Sequence, residues 1–326
     1  MTEHEHIQLQ AVIPEEMDNE RLDVVASFVF DQYSRSRLQQ WIKSGELTVD
    51  GGTLKPRDKV SAGQLIKLDV MLATPNEPDK AQNIALDIVF EDDSIIIINK
   101  PVGLVVHPGA GNADSTLMNA LLFHSPQLVH VPRAGIVHRL DKDTSGLMVV
   151  AKTLDAHNSL VGQLQEREMG RQYYALVNGI MTAGGTVDAP IGRHPSNRQK
   201  QAVVQGSSGK EAITHYRVVK RYRAHTLVRC QLETGRTHQI RVHMAHIHFP
   251  LVGDKLYGGR PRLPKAASQE LIDALQQLPR QALHAFKLEL AHPVTDQVLE
   301  WEVDMPDDMK QLLALLQQDM KEHEAS

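Results

Sequence analysis

Apolar and polar positions along this chain follow two different periods, and the change between them divides it. From residue 17 to about 72 the pattern predicts a small unit. Arg21-Leu22-Asp23 opens a helix carrying Val24, Val25 and Phe28, and Ser34 is placed to cap a second helix over 35–44 that Gly45 ends. Leu47-Thr48-Val49, a turn at Asp50-Gly51-Gly52 and a run around 65–70 then read as strands. A polar stretch with Pro75 and Pro78 marks a linker over 73–83. From 84 to 306 the pattern is strand-rich. Ile88-Val89-Phe90 and Ile95 to Ile98 flank a polar turn and predict a hairpin, and the unbroken isoleucines predict a strand buried on both faces. Further strands are predicted at 147–151, 174–177, 212–219, 226–233 and 284–290, with helices over 156–168 and 237–247. The tail, 307–326, is helix-prone, with apolar positions suited to packing on a surface. The expected class is α+β: a small α+β unit ahead of a larger domain with a mixed, mainly antiparallel sheet.

Composition narrows this picture. A length of 326 residues suggests two or three domains, and 41% hydrophobic residues suffice for a core that 4% aromatics make mainly aliphatic. Net charge is -5, so no global basic field advertises nucleic acid, and any phosphate contact must be local. The one cysteine, Cys230, sits in a strand pattern and reads as core; it excludes an internal disulfide and fits a reducing cytosol. The N-terminus is polar and acidic, unlike a signal peptide, and no apolar run approaches the ~20 residues that span a membrane.

Two segments concentrate chemistry. His138 to Leu147 places Asp141 in a polar loop that runs into a buried strand, where a scaffold can present a reactive group. A plainer reading makes Asp141 and Asp143 turn residues and Gly146 the end of the turn. Leu232 to His246 places Thr237 as a helix cap with Arg241 close behind. An arginine there opposes the helix dipole and needs an anionic partner, for which Asp141 is the candidate; a guanidinium fork matches a carboxylate and would hold it ionised. The alternative is an Arg241 that reaches solvent. His238, His243, His246 and His248 raise a metal site, but no ligand-spaced carboxylate or cysteine accompanies them. Basic loops at 193–200 and 260–265 could meet phosphates or simply be solvated. Gly109 and Gly111 lack the setting of a dinucleotide fingerprint.

His-Arg-Leu-Asp followed by Thr-Ser-Gly at 138–146, Arg171 to Tyr174, and Thr-Gly-Arg-Thr-His-Gln-Ile-Arg-Val-His at 234–243 together resemble the motifs of the RluA-type family of RNA pseudouridine synthases, in order. Arg21-Leu22-Asp23, Ser34 to Arg37 and Val49-Asp50-Gly51 resemble the S-four-type RNA-binding domain, named after a small-subunit ribosomal protein. The resemblance extends to His284-Ala285-Phe286 and His292-Pro293. It implies an isomerase that turns uridine into pseudouridine. Asp141 would be the nucleophile, Arg241 its partner, and Tyr173 the ring that stacks on the base and can move its C5 proton. Arg139 would fill the gap left by the extruded base, Ile240 would lie beside the base, and Arg35 and Arg37 would contact RNA. Val106 to Gly111 and Pro132 to Val137 resemble the branch that modifies 23S rRNA in the helix 69 stem-loop. The partner would then be 23S rRNA or the large ribosomal subunit. The enzyme would be monomeric and cytoplasmic, with no metal, no organic cofactor and no membrane association. Two rivals remain at this stage: a hydrolase pairing Asp141 with Asp143, and a non-catalytic RNA-binding assembly factor.

Overall fold

The computed structural model describes residues 4–30, 33, 35–73, 80–109, 112–197, 199–206 and 209–324. The chain forms two compact units, Met1–Pro78 and Asp79–Ser326. Ser34 and Arg198 lie outside the described residues.

In the first unit, β1 (His4–Val12), β2 (Glu20–Arg21), α1 (Leu22–Val29), α2 (Arg35–Ser44), β3 (Leu47–Val49), β4 (Lys59–Val60) and β5 (Leu65–Ala73) follow in order. β1, β5 and β3 make an antiparallel sheet, and β2 pairs with β4. β1 precedes residue 17, from which the unit was expected to start, yet it pairs with β5 along its whole length. Its alternation of Ile7, Leu9 and Ala11 with polar residues is that of a strand covered on one face. α2 has the expected bounds, and Gly45 follows it at φ 84°, a left-handed stop that glycine adopts without penalty. Leu22, Val25, Ala26, Leu38, Trp41 and Ile42 bury the helices against the sheet, while Phe28 stays exposed.

The second unit contains β6 (Ile88–Glu91), β7 (Ile95–Lys100), α3 (Leu117–His124), β8 (Ser145–Ala151), α4 (Leu154–Gln165), β9 (Gly170–Asn178), β10 (Gly185–Asp188), β11 (Ile191–Arg193), β12 (Gln201–Val203), β13 (Ile213–Arg221), β14 (His225–Leu232), α5 (Gln239–His246), α6 (Gln269–Gln277), β15 (Leu283–Ala291), β16 (Val298–Glu302) and α7 (Asp307–Glu324). One large sheet runs β10-β13-β14-β9-β15-β8-β7-β6. Its pairings are antiparallel except β15 with β8. β9 takes one edge of β15; the other edge is shared by β8 at His284 and Ala285 and by β16 from Lys287 onward, so the sheet forks there.

Ile96 and Ile98 enter one core with Met148 and Val150, while Ile95 and Ile97 enter a second with Leu147 and Val149. Opposite faces of one strand are thus both covered, which explains the unbroken apolar run. α4 covers the second face through Ala156 and Leu160. α6 and α7 cover Leu176 and Leu227; Met309, Leu312 and Leu316 make the C-terminal helix part of this core, not a separate tail. Gly146, expected to end a turn, lies inside β8 at φ 116°. A Cβ there would fall 2.1 Å from the Ala285 carbonyl oxygen, so the parallel pairing of β8 with β15 requires glycine.

Candidate active site

The loop from Leu140 to Thr144 connects a short left-handed turn to β8. Arg133, Ala134 and Gly135 all have positive φ, and a Cβ on Gly135 would overlap the Ala151 carbonyl oxygen at 1.9 Å. Two non-glycine residues in that region store strain that the packed surroundings must hold. The loop is then fixed at three successive backbone carbonyls and one hydroxyl. Asp141 O accepts the Thr144 N–H at 3.0 Å, and Lys142 O accepts Gly103 N–H and Lys100 Nζ, both at 3.0 Å. Asp143 O accepts Arg280 Nη1 at 3.2 Å, and Gln281 Nε2 donates to Thr144 Oγ1 at 3.1 Å. Lys100 is 1% exposed and also donates to the carbonyls of Pro101 and Leu104, so its three ammonium donors are satisfied. Burial pulls its pKa down to about 8, against the opposing charges of Asp143 and Asp141.

This loop presents Asp141 to a cavity of about 950 Å³ also lined by Tyr173, Ile240, Arg241, His238 and Arg139. The strand β9 supplies Tyr173, the helix α5 supplies Ile240 and Arg241, and both elements belong to the core on that face of the sheet. The expected catalytic trio therefore converges, with Ile240 and Arg139. Arg139 is exposed at the cavity and makes no hydrogen bond or ion pair among the described residues. Tyr173 is 6% exposed; burial raises its phenol pKa, the Arg171 charge opposes this, and the Asp141 charge adds to it. Tyr174 instead stacks on Phe286 at 3.9 Å, as core.

Arg241 departs from expectation in one respect. Nη1 donates to Asp141 Oδ2 at 2.9 Å, but the guanidinium fork is spent on Asp254, with Nε to Oδ2 at 2.7 Å and Nη2 to Oδ1 at 3.1 Å. Asp254 is fully buried and also accepts the backbone N–H groups of Leu256 and Tyr257. A bidentate bond needs both carboxylate oxygens on one side, and that side of Arg241 faces α5's own following loop. Burial alone would lower the Arg241 pKa; bonds to and charges on Asp254 and Asp141 raise it overall. The Tyr257 ring lies 5.1 Å from the guanidinium carbon, a cation–π contact, and its hydroxyl meets His238 Nδ1 at 2.9 Å. Asp141 Oδ1, by contrast, has no hydrogen bond among the described residues; His238 Nε2 stands 3.8 Å away.

The helix cap is corrected, and the other candidate groups take structural places. α5 is capped by His238 at φ 58°, not by Thr237. Both ring nitrogens of His243 are engaged, with Thr214 Oγ1 and the Ala189 carbonyl, each at 2.9 Å. His138 Nε2 accepts the Val149 N–H at 3.1 Å, and burial followed by the Arg171 charge pushes its pKa to about 3, so it is a neutral brace for β8. Asp143 does not line the cavity and faces Lys100, which removes the paired-carboxylate geometry of the hydrolase reading. Cys230 is buried, and burial pushes its thiol to about 12.

In the first unit, Arg35 donates through Nε and Nη2 to Asp23 Oδ2 at 3.2 and 2.9 Å, and Arg21 holds both Asp23 oxygens at 3.0 Å. Arg37 lies over the Trp41 ring at 5.2 Å. Asp254, Tyr257, Lys100 and Arg280 were missed from sequence. The one available signal is Lys100, a cation closing a strand that opens with four isoleucines.

Comparison with known proteins adds to the geometry. Residues 94–246 match the family model described as RNA pseudouridylate synthase, and residues 20–66 match the S4 domain. A relative from Pseudomonas aeruginosa, "Ribosomal large subunit pseudouridine synthase D", is 58% identical across 96% of this chain and 97% of its own length. The protein of the same description from Escherichia coli (strain K12) is 52% identical across 98% and 97%. Among solved structures, human RNA pseudouridylate synthase domain containing 4 superposes with a TM-score of 0.56 at 28% identity, over 71% of this chain and 92% of that one.

Proposed function

The chain belongs to the RNA pseudouridylate synthase family, an isomerase family, and from that premise we propose that it acts on 23S rRNA of the large ribosomal subunit, at uridines of the helix 69 stem-loop, with Asp141 as nucleophile. The relatives' descriptions and the S4 match support the ribosomal substrate. One observation carries the nucleophile: of the carboxylates lining the cavity, Asp141 is the least exposed, and its Oδ1 has no hydrogen bond among the described residues. Glu211 and Glu233 are occupied by Arg167, and Glu233 also by His215.

In this reading the target uridine leaves its stack and enters the cavity. Asp141 Oδ1 bonds to the sugar C1′ and the C1′–N1 bond breaks. The base turns, C5 bonds to C1′ as the carboxylate departs, the C5 proton is lost and N1 gains one. No electrons are exchanged with a third party, so no cofactor is called for. Tyr173 stacks on the base, Ile240 packs beside it, Arg139 takes the vacated place in the RNA, and Arg241 fixes the carboxylate. Arg35 and Arg37 face RNA from the small unit. The enzyme works as a monomer in the cytoplasm.

The test is to map pseudouridine in 23S rRNA from cells lacking the gene, then with wild type or Asp141→Asn restored. Helix 69 pseudouridines restored by wild type alone are expected. Their presence in cells lacking the gene would overturn the substrate, and restoration by Asp141→Asn would overturn the nucleophile.

A further inference from the structure

One buried charge in the cavity has no counter-ion among the described residues. Arg171 lies on β9 two residues before Tyr173, so both side chains leave the same face of the sheet. It lines the cavity and is 6% exposed. Its guanidinium makes one hydrogen bond, Nη2 to the Glu233 carbonyl at 3.3 Å, while Nε is buried without a partner. No carboxylate pairs with it among the described residues. A Cβ at Gly235 would fall 2.7 Å from Nη1, so the guanidinium rests directly against bare backbone. Arg241, the other buried arginine of the cavity, is neutralised by two carboxylates. A buried cation without an anion is costly, and its presence in a reaction cavity calls for an anion that arrives with the substrate.

The reaction makes such an anion. When Asp141 takes C1′, the C1′–N1 electron pair leaves with the base, which becomes a uracil anion with charge spread over N1 and its carbonyl oxygens. Loss of a sugar proton instead of attack on C1′ would send the same pair to the base. The anion lasts until its electron pair enters the C5–C1′ bond and the carboxylate departs; the neutral adduct then loses the C5 proton and gains one at N1.

We propose that Arg171 holds this detached uracil anion, stabilising its charge and keeping the base in the cavity while it turns. The proposal rests on the isomerase reading with Asp141 as nucleophile. Arg171 then acts only after the glycosidic bond begins to open, so it serves the transition state more than substrate binding.

The experiment compares stem-loop transcripts carrying uridine or 5-fluorouridine at the target positions, with wild type, Arg171→Met and Arg171→Lys. Fluorine acidifies the base, so its anion needs less help. Single-turnover conversion is read by nucleoside analysis of digested RNA, as pseudouridine from uridine and as the C5-linked adduct that retains its fluorine from 5-fluorouridine, and affinity by filter binding. Arg171→Met is expected to slow conversion of uridine about 10²–10³-fold, with RNA affinity within about twofold. The deficit on 5-fluorouridine is expected to be smaller by about tenfold or more, and Arg171→Lys to recover part of the rate. Equal deficits on the two bases, a loss confined to affinity, or no deficit would overturn the proposal. If Arg171→Met lacks a cooperative thermal transition, the same comparison is read on Arg171→Lys, whose deficit must again be smaller on 5-fluorouridine. Failure of the underlying reading would show separately, as no conversion by wild type or as undiminished conversion by Asp141→Asn.

Discussion

The tripeptide Arg-Leu-Asp occurs at 21–23 and again at 139–141, and the two copies end in opposite roles. In the small unit the carboxylate is the buried partner: Asp23 has no exposed side-chain surface and receives Arg21, Arg35 and Gln39. In the large unit the arginine is the buried partner: Arg241 sits between Asp254, which is saturated, and Asp141, which is not. Arg21 folds back onto its own tripeptide's aspartate, whereas Arg139 leaves Asp141 alone. A carboxylate with both oxygens taken is a structural joint; one held through a single oxygen, beside a cavity, keeps a reactive oxygen.

The contrast can be broken at several points. The largest effect is expected for Asp254→Ala. It strips the buried guanidinium of its bidentate partner, leaving Nε and Nη2 without acceptors and Asp141 as counter-ion, so the large unit should lose about 3–5 kcal/mol in denaturant titrations. Turnover should drop about 10²-fold as Asp141 loses its fixed direction. Undiminished turnover would show that Asp254 does not position the nucleophile. Next comes acid. Burial pushes His138 to about 3 and His225 and His284 to about 4, all in the large unit. Their unfolded forms titrate near 6.5, so the unfolded chain takes up protons that the folded unit refuses. Stability is therefore intact above about pH 6.5 and falls as pH drops toward 4, by about 1.4 kcal/mol per histidine per pH unit. Trp41 reports the small unit and Trp301 the large one. With either replaced by phenylalanine, fluorescence titrations in denaturant should show the Trp301 transition weakening between pH 6.5 and 5 while the Trp41 transition holds. Equal weakening would contradict the assignment.

Asp23→Asn should cost about 1–3 kcal/mol, confined to the Trp41 transition, with single-turnover chemistry at saturating RNA within about twofold. The smallest stability effects fall on the tripeptide arginines. Arg21→Ala is expected to cost about 0.5–1 kcal/mol. Arg139→Ala should change stability by less than about 0.5 kcal/mol yet slow turnover. Reversed results for this pair would erase the distinction between the two copies.

Much of this was legible in the chain because it is local. α2 follows from its cap-to-glycine span, the isoleucine strand from β-branching without polar interruption, and Asp141, Tyr173, Ile240 and Arg241 from motif residues that the fold brings to one cavity. What escaped depends on distant or weak cues. β1 carries its apolar residues among His, Glu and Gln, so its period-two pattern was masked by polarity until β5 covered one face. Asp254 lies beyond the end of α5 from Arg241, and no helical or strand period relates the two. Arg280 reaches the Asp143 carbonyl across 137 residues, a contact only the sheet's fork near β15 explains. The sequence of α7 looks like a surface helix because its buried stripe, Met309, Leu312 and Leu316, is narrow among charges.

The most direct test is tritium release from 23S rRNA labelled at uridine C5, comparing wild type with Asp141→Asn. Release by wild type and none above background by a folded, RNA-binding Asp141→Asn is predicted, because Asp141 is the least exposed carboxylate of the cavity and keeps an oxygen without a hydrogen bond. Release by the variant at the wild-type rate would contradict the account and return Asp141 to the structural role that Asp23 plays.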